Sequence, residues 1–271
     1  MRTAMTVLLA AVACSSNASP TAHDGDGSNG WRSRSQGDFV ASFVDADSAV
    51  ATMVLAAAVD GESAITAFFG EAAVTPVPAP ARGHRLRIFA SGSALESYWR
   101  IRWGSPGFVR QSWMVAAADS SEVQVLSPRV WARDASGHDP SDPQHLREIV
   151  IHESVHVYHR RVNTTPNVVS SSDLSWFGEG IAVLASGQLH PSDIEHVRLQ
   201  LAQGYRPASL AEVLSGPLAY SGAGALVQYI DARFGRAMTE RLLHVHSTSE
   251  LLGLLQLSED SLIGAWLADT G

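Results

Sequence analysis

The segment 144–162 constrains the fold more than any other part of the chain, because it places ionisable side chains within a strongly apolar helical pattern. It reads QHLREIVIHESVHVYHRRV, and the run EIVI before His152 indicates a helix that is deeply buried. Ser141 and Pro143, just before the segment, are typical of a helix start. A buried imidazole or carboxylate is costly unless its polar atoms have partners. The fold must therefore provide partners for the polar side chains of this helix.

His152 and His156 stand four residues apart, a spacing that suits a single metal ion. On an α-helix such residues are separated by about 40° around the axis and about 6 Å along it, so both imidazoles can point at one cation. Zinc binds neutral imidazole at roughly 2.0–2.1 Å. Glu153 is rotated by about 100° from His152, where its carboxylate can reach a water molecule and act as a general base. The alternative is two core histidines whose nitrogens are satisfied by backbone carbonyls.

Glu179 is the candidate third ligand. It lies in SSDLSWFGEGIAVLAS, on the first turn of a predicted helix that follows a Ser175 cap, and Gly178 and Gly180 flank it. Small neighbours allow this helix to approach the histidine helix closely, and a cation would compensate the burial of a carboxylate beside IAVLA. The alternative is a glutamate that only favours the positive end of its own helix.

The pair HESVH and WFGEG, with 22 residues between His156 and Glu179, resembles the gluzincin metallopeptidases, and among them the bacterial peptidase-MA-like group. The similarity covers about residues 85–266 and is strongest around the two motifs. It implies that Zn²⁺ is held by His152, His156 and Glu179, and that Glu153 is the catalytic glutamate.

Two positions outside this set also bear on the resemblance. Tyr220 stands where the family tends to carry a tyrosine after the third ligand, which implies a hydroxyl that donates to the developing oxyanion. The alternative is a tyrosine that only packs its helix. Val183 stands four residues after Glu179, where some relatives carry an aspartate that orients a ligand histidine, so that partner is left unassigned.

The resemblance implies an α+β, zincin-like fold, in which a small mixed sheet and the active-site helix precede a mainly helical C-terminal region. The expected activity is zinc-dependent hydrolysis of peptide or protein substrates, and the strand over 122–126 is the expected sheet edge for an extended substrate. Two alternatives stay open. One is a non-catalytic zincin-fold module that binds or assembles partners in the cell envelope, and the other is an esterase or other hydrolase built on the same site.

The first twenty residues, MRTAMTVLLAAVACSSNASP, predict an export signal, with one arginine before an apolar run that ends in small residues. This run is far shorter than the ~20 residues that a membrane-spanning helix needs. Ala11-Val12-Ala13 before Cys14 resembles a bacterial lipoprotein box, although alanine replaces the usual leucine at its first position. We therefore expect an exported, lipid-anchored protein of the cell envelope. Ordinary cleavage with secretion, or an uncleaved cytoplasmic form, are the alternatives.

Composition limits the partners of this chain. Its 271 residues carry a net charge of −8, and its 19 basic residues are all arginine and are scattered, which excludes a continuous basic surface for nucleic acid. Cys14 is the only cysteine and excludes an intrachain disulfide, so the fold must rest on packing, with or without a contribution from metal. Membrane association is expected only through a lipid on Cys14.

Three regions follow along the chain: a signal peptide with the lipoprotein box over 1–14, a flexible linker rich in Ser, Asn, Gly and Asp over 15–37, and a metallopeptidase domain over 38–271. Within the domain we expect a sheet-containing part to about residue 160 and a helical part beyond it.

The segments of the domain predict these elements in turn. Apolar residues after Phe39 predict a buried helix rather than a membrane span, with a break allowed near Gly61. HRLRIFAS is β-prone, SALESYWRIRW has helical spacing after a serine cap, and SWMVAAA and SEVQVLSP predict two strands around a turn at 119–121. Later segments predict helices over 144–162, 175–186, 192–203, 210–214, 219–234 and 238–244, and two short helices near the end.

Other polar and aromatic residues receive no ligand role. His159 lies about 10.5 Å along the helix from the first histidine, too far to share its ion, and is expected at the surface or beside the ligands. His138 and Asp139 stand in the polar loop DASGHDPSDP and are expected to be solvated. Trp176 and Phe177 are expected to form core beneath the site.

Overall fold

The computed structural model describes residues 30–70, 84–163 and 173–270. The export signal, the lipoprotein box and the first part of the predicted linker lie outside the described residues. The protein divides into two compact units, one within Cys14–Val157 and one from Tyr158 onward. The division falls inside a continuous helix, near residue 160, where we expect the sheet-containing part to end.

A mixed sheet forms the first unit together with helices, which makes the protein an α+β protein. Among the described residues the sheet has five strands in the order β1-β2-β3-β5-β4. Its strands are β1 Trp31–Gln36, β2 Phe39–Val44, β3 His84–Phe89, β4 Ala116–Ala118 and β5 Glu122–Leu126. The three central strands β2, β3 and β5 are parallel, and the edge strands β1 and β4 pair antiparallel with their neighbours.

The prediction of a flexible linker is wrong for its last residues, because strand β1 begins at Trp31. Its sequence, WRSRSQ, lacks the apolar alternation on which a strand prediction depends. An edge strand with exposed side chains does not require apolar alternation, because it is held by backbone pairing. Here the backbone of β1 pairs with β2 from Trp31↔Val44 to Gln36↔Phe39. The two strands join through Gly37, whose φ of 56° suits a tight hairpin turn.

The expected sheet edge at Glu122–Leu126 is also wrong. Strand β5 lies between β3 and β4, and all five of its residues are buried. The prediction of two strands around 119–121 is confirmed, since β4 pairs antiparallel with β5 from Ala116↔Val125 to Ala118↔Val123. It is this pairing that covers β5 and makes β4 the edge.

Helix α1, Ser48–Phe69, packs against β1 and β2 and has no break at Gly61. A Cβ at Gly61 would lie 3.2 Å from Ser154 Oγ, so this glycine marks a close approach to helix α4, Pro143–Val162. The stretch Asp45–Phe69 meets the length and hydropathy criteria of a membrane-spanning helix, which core helices also meet. Of its most apolar 18 residues, 44% are buried inside the protein.

Two shorter helices complete the first unit. Helix α2, Gly92–Arg102, packs against β3 and β5, and Ser91 Oγ accepts a hydrogen bond from Ala94 N at 3.2 Å, which confirms the predicted serine cap. Helix α3, Trp131–Asp134, precedes α4 and buries Trp131 completely.

The elements of secondary structure assigned within the described residues of the second unit are all helices. The predicted helix boundaries from 175 onward agree with the structure within two residues. The helices are α5 Ser175–Ser186, α6 Pro191–Ala202, α7 Leu210–Ser215, α8 Ala219–Phe234, α9 Arg236–Leu242, α10 Thr248–Leu255 and α11 Glu259–Thr270.

Glycines bring α5 and α8 into close contact. A Cβ at Gly180 would lie 2.5 Å from Ala223 O and 2.6 Å from Val227 Cγ2, and a Cβ at Gly224 would lie 2.6 Å from Val183 Cγ1. The small residue after Glu179 is therefore required by the packing of α5 against α8. From the sequence we had expected this small residue to allow α5 to approach the histidine helix instead.

We expect Gly180→Ala to destabilise the protein by about 1–3 kcal/mol, because the new methyl group has no space against the backbone of α8. The matched control is Gly253→Ala in α10, where a Cβ meets nothing within 4 Å. That variant should gain up to about 1 kcal/mol from helix propensity. Urea unfolding monitored by circular dichroism measures both, and equal stabilities would contradict the packing argument.

Candidate metal site

Helix α4 starts one residue earlier than predicted, and its cap is Asp142 rather than Ser141. Asp142 Oδ1 accepts hydrogen bonds from the backbone N–H of Gln144 and His145 at 2.9 and 3.2 Å. Farther along, Arg147 Nε donates to Asp60 Oδ2 of α1 at 2.7 Å. These contacts fix the first turns of the helix that carries the histidines.

The three polar residues of the HESVH motif are buried in α4. Only 7% of His152, 8% of Glu153 and 7% of His156 is exposed. The two imidazole rings have centroids 4.7 Å apart and planes at 84° to each other. The spacing of four residues therefore places both rings on one face, as the helical geometry predicts.

Glu179 is the residue that joins this pair. Each of His152, His156 and Glu179 offers one ligand atom, and these three atoms lie within 4.8 Å of one another. Among the described residues, this is the group of three or more His, Cys, Asp or Glu side chains that could hold a metal ion. Glu179 itself is half-buried.

Two imidazoles and one carboxylate form a donor set that suits zinc, with one position left open as in catalytic sites. Ligands at 2.0–2.2 Å from a common ion lie roughly 3.3–3.6 Å apart in tetrahedral geometry. The three ligand atoms lie within 4.8 Å of one another, a limit that includes this spacing. The donor types and the spacing of these described residues are thus those of a group that could hold a metal ion.

The start of α5 differs in detail from the prediction. Ser175 is the first residue of the helix and not its cap, and Leu174 occupies the cap position without a side-chain hydrogen bond. Glu179 therefore lies in the second turn, beyond the first-turn position that we predicted. Trp176 and Phe177 are completely buried, which confirms their place in the core.

The end of α4 is fixed by groups that the sequence analysis did not assign. We expected His159 either at the surface or beside the ligands, and with only 1% of it exposed the surface position is wrong. Its Nε2 lies 3.1 Å from Leu243 O, and because a carbonyl can only accept, the imidazole donates there. Asn163 Nδ2 donates to the same carbonyl at 3.0 Å and to Val245 O at 2.7 Å.

Tyr220, the predicted oxyanion donor, is the second residue of α8 and is half-buried. The residue before it, Ala219, has a φ of 47°, in the left-handed region that costs a non-glycine residue about 1–2 kcal/mol. Such a conformation persists only where the surrounding structure holds it in place. The catalytic role of Tyr220 stays a prediction.

His138 is held by two hydrogen bonds, so the expected solvation of its loop does not describe it. Its Nε2 lies 2.8 Å from Trp113 O and its Nδ1 lies 2.8 Å from His145 Nε2. Both rings also contact Trp131, at centroid distances of 5.3 and 5.8 Å. This histidine pair attaches the loop before α4 to the first turn of that helix.

Comparison of the sequence with protein-family models gives no match, and comparison with curated proteins gives no significant match.

Acid should destabilise the protein through His138. Burial lowers the pKa of this imidazole, and the charges of His145 and Arg110 lower it further, against the opposing effect of the Trp113 carbonyl. Because the folded pKa lies below the unfolded value of about 6.5, the unfolded chain binds a proton first as the pH falls. The stabilisation from neutral His138 is therefore present above about pH 6.5 and is lost at lower pH.

We expect the free energy of unfolding to fall between pH 7 and pH 5, and His138→Gln to reduce this slope. Chemical denaturation at several pH values measures it. His244→Gln, at an exposed position of the second unit, is the control for loss of a histidine. Identical slopes in wild type and His138→Gln would refute the assignment to His138.

Proposed function

We propose that this protein is a zinc-dependent peptidase with a zincin-like fold of the gluzincin type. The observation that carries the proposal is the cluster of ligand atoms from His152, His156 and Glu179 within 4.8 Å of one another. The α+β architecture, with a small mixed sheet before a helical region, matches the coarse fold class that the resemblance implies.

The residues of the site have distinct roles in this proposal. His152, His156 and Glu179 would hold the zinc ion, which when bound supplies a Lewis acid that acidifies water and polarises a carbonyl. The Glu153 carboxylate takes a proton from the attacking water and returns it to the leaving amine.

The substrate in this proposal is a peptide or protein that binds in extended form. An extended peptide can add to a sheet only along an edge strand, because interior strands have no free backbone groups. Strand β4, Ala116–Ala118, is the sheet edge next to β5 and replaces β5 as the proposed pairing strand.

The N-terminal sequence supports a proposal for the cellular location of the protein. We propose export to the cell envelope, with a lipid on Cys14 as the membrane anchor. A non-catalytic binding or assembly module on the same fold is the alternative function. The zinc content from elemental analysis, combined with cleavage of a peptide library, distinguishes the two, because only the peptidase requires both results to be positive.

Glu153→Gln should abolish peptide cleavage and leave zinc binding intact. The amide cannot accept the proton from water, and a loss of about 10²- to 10⁴-fold in kcat is the usual effect of removing a general base. The measurement is cleavage of an unfolded protein substrate, together with zinc stoichiometry. Glu195→Gln, an exposed glutamate of α6, is the control. Unchanged cleavage by the Glu153 variant would remove this residue from the mechanism.

Glu179→Ala should weaken zinc binding about 100-fold or more, because loss of a direct ligand costs at least as much as loss of an outer partner. It should also lower the melting temperature measured in the presence of zinc, since binding to the folded state stabilises it. Competition with a chromophoric chelator gives the dissociation constant. A variant that binds zinc as tightly as wild type would exclude Glu179 as a ligand.

A further inference from the structure

The α9–α10 connection, taken here as residues 243–248 so that it includes Thr248, the first residue of α10, binds the end of helix α4. His159 Nε2 and Asn163 Nδ2 donate to Leu243 O at 3.1 and 3.0 Å, and Asn163 Nδ2 also donates to Val245 O at 2.7 Å. Both donors are almost fully buried, at 1% and 3% exposure. Hydrogen bonds of this kind are costly to lose, because each leaves a buried polar group without its partner.

The same segment also binds the residues that lead into helix α5. The backbone N–H of Thr248 donates to Asp173 Oδ2 at 2.6 Å, and Thr248 Oγ1 donates to Asp173 O. Trp176 Nε1 in turn donates to Thr248 Oγ1 at 3.2 Å. The side chain of Asp173 thus reaches the first turn of α10, where a carboxylate is favoured by the helix dipole.

Apolar packing makes these attachments stiff. Leu243, Val245 and Trp176 are at most 2% exposed, and the ring of His159 meets that of Phe177 edge-on at a centroid distance of 6.2 Å. The end of α4 and the beginning of α5 therefore belong to one packed cluster of the second unit.

This arrangement bears on the metal ligands because both helices carry them close to the attached ends. His156 precedes Asn163 by seven residues, which is about 10.5 Å or two turns of helix. Glu179 follows Asp173 by six residues. A shift at either attachment would change the separation between the imidazoles and the carboxylate, and metal sites lose affinity when ligand positions move by a few tenths of an ångström.

We propose that the α9–α10 connection, residues 243–248, sets the spacing of the zinc ligands, and that Asn163, Asp173 and Thr248 are positioning residues for the site. The proposal rests on the proposed zinc function. It goes beyond that function by placing the control of metal affinity in a segment that contains no ligand.

Zinc affinity of the full chain tests the proposal, with competition against a chromophoric chelator as the measurement. Thr248→Val keeps the shape of the side chain and removes the hydroxyl, and Asn163→Ala removes the donor to both carbonyls. We expect zinc binding to weaken about tenfold or more in each, as for outer partners of metal ligands. Thr248→Ser, which retains the hydroxyl, should restore affinity to near the wild-type value.

The control for a general loss of stability is Thr239→Val. Thr239 is completely buried and donates to Asp231 Oδ1 at 2.9 Å, outside the α9–α10 connection. We expect this variant to lower the melting temperature without changing zinc affinity. Visible spectra of the Co²⁺-substituted proteins report ligand geometry, and they should change in Thr248→Val and remain as in wild type in Thr239→Val.

Two results separate the possible failures. If wild-type protein binds neither Zn²⁺ nor Co²⁺, the proposed function fails, and the inference fails with it. If wild type binds zinc but Thr248→Val binds it equally tightly, with an unchanged Co²⁺ spectrum, the connection only stabilises the fold and the positioning role is refuted. Should Asn163→Ala fail to fold, the pair Thr248→Val and Thr248→Ser still decides the question.

Discussion

The burial of two imidazoles and a carboxylate within one apolar helix is the constraint on which the rest of the structure depends. His152, Glu153 and His156 are each less than one-tenth exposed, and their neighbours Val150, Ile151, Val155 and Val157 are among the most buried residues of the protein. Such a helix is expensive to assemble unless the polar atoms are compensated. A cation shared with Glu179 would provide that compensation. With the same cation bound, the buried carboxylate of Glu153 would serve as the general base.

The position of the third ligand is set by packing that involves no polar chemistry. Helix α5 buries Trp176 and Phe177 completely, and Gly180 lets it lie directly against the backbone of α8. Glu179 stands between these two contacts, so its Cα has little freedom to move. Preorganisation of this kind favours metal binding, because the ligands lose little conformational entropy when the ion enters.

The sequence predicted local elements well and long-range placement poorly. The helices from α4 onward, the hairpin of β4 and β5 and the cluster of His152, His156 and Glu179 follow from local periodicity and from motif spacing. The edge role of β4 could not be read from its three alanines, because strand order depends on pairing between distant segments. Asn163 and Asp173 were missed for a related reason, since their partners lie about 70–80 residues away and are in part backbone carbonyls, which leave no trace in composition.

The contribution of the site to stability should depend on its occupancy. With zinc present, binding to the folded state alone adds RT ln(1 + [L]/Kd) to the free energy of unfolding. Without the ion, the desolvation of the imidazoles and of Glu179 opposes folding, and apolar packing such as that of Trp176 and Phe177 must outweigh it. A side chain whose effect on stability changes sign with zinc concentration is therefore a ligand, whereas one that contributes equally in both conditions belongs to the scaffold. Because the chain contains a single cysteine, no intrachain disulfide adds to this packing.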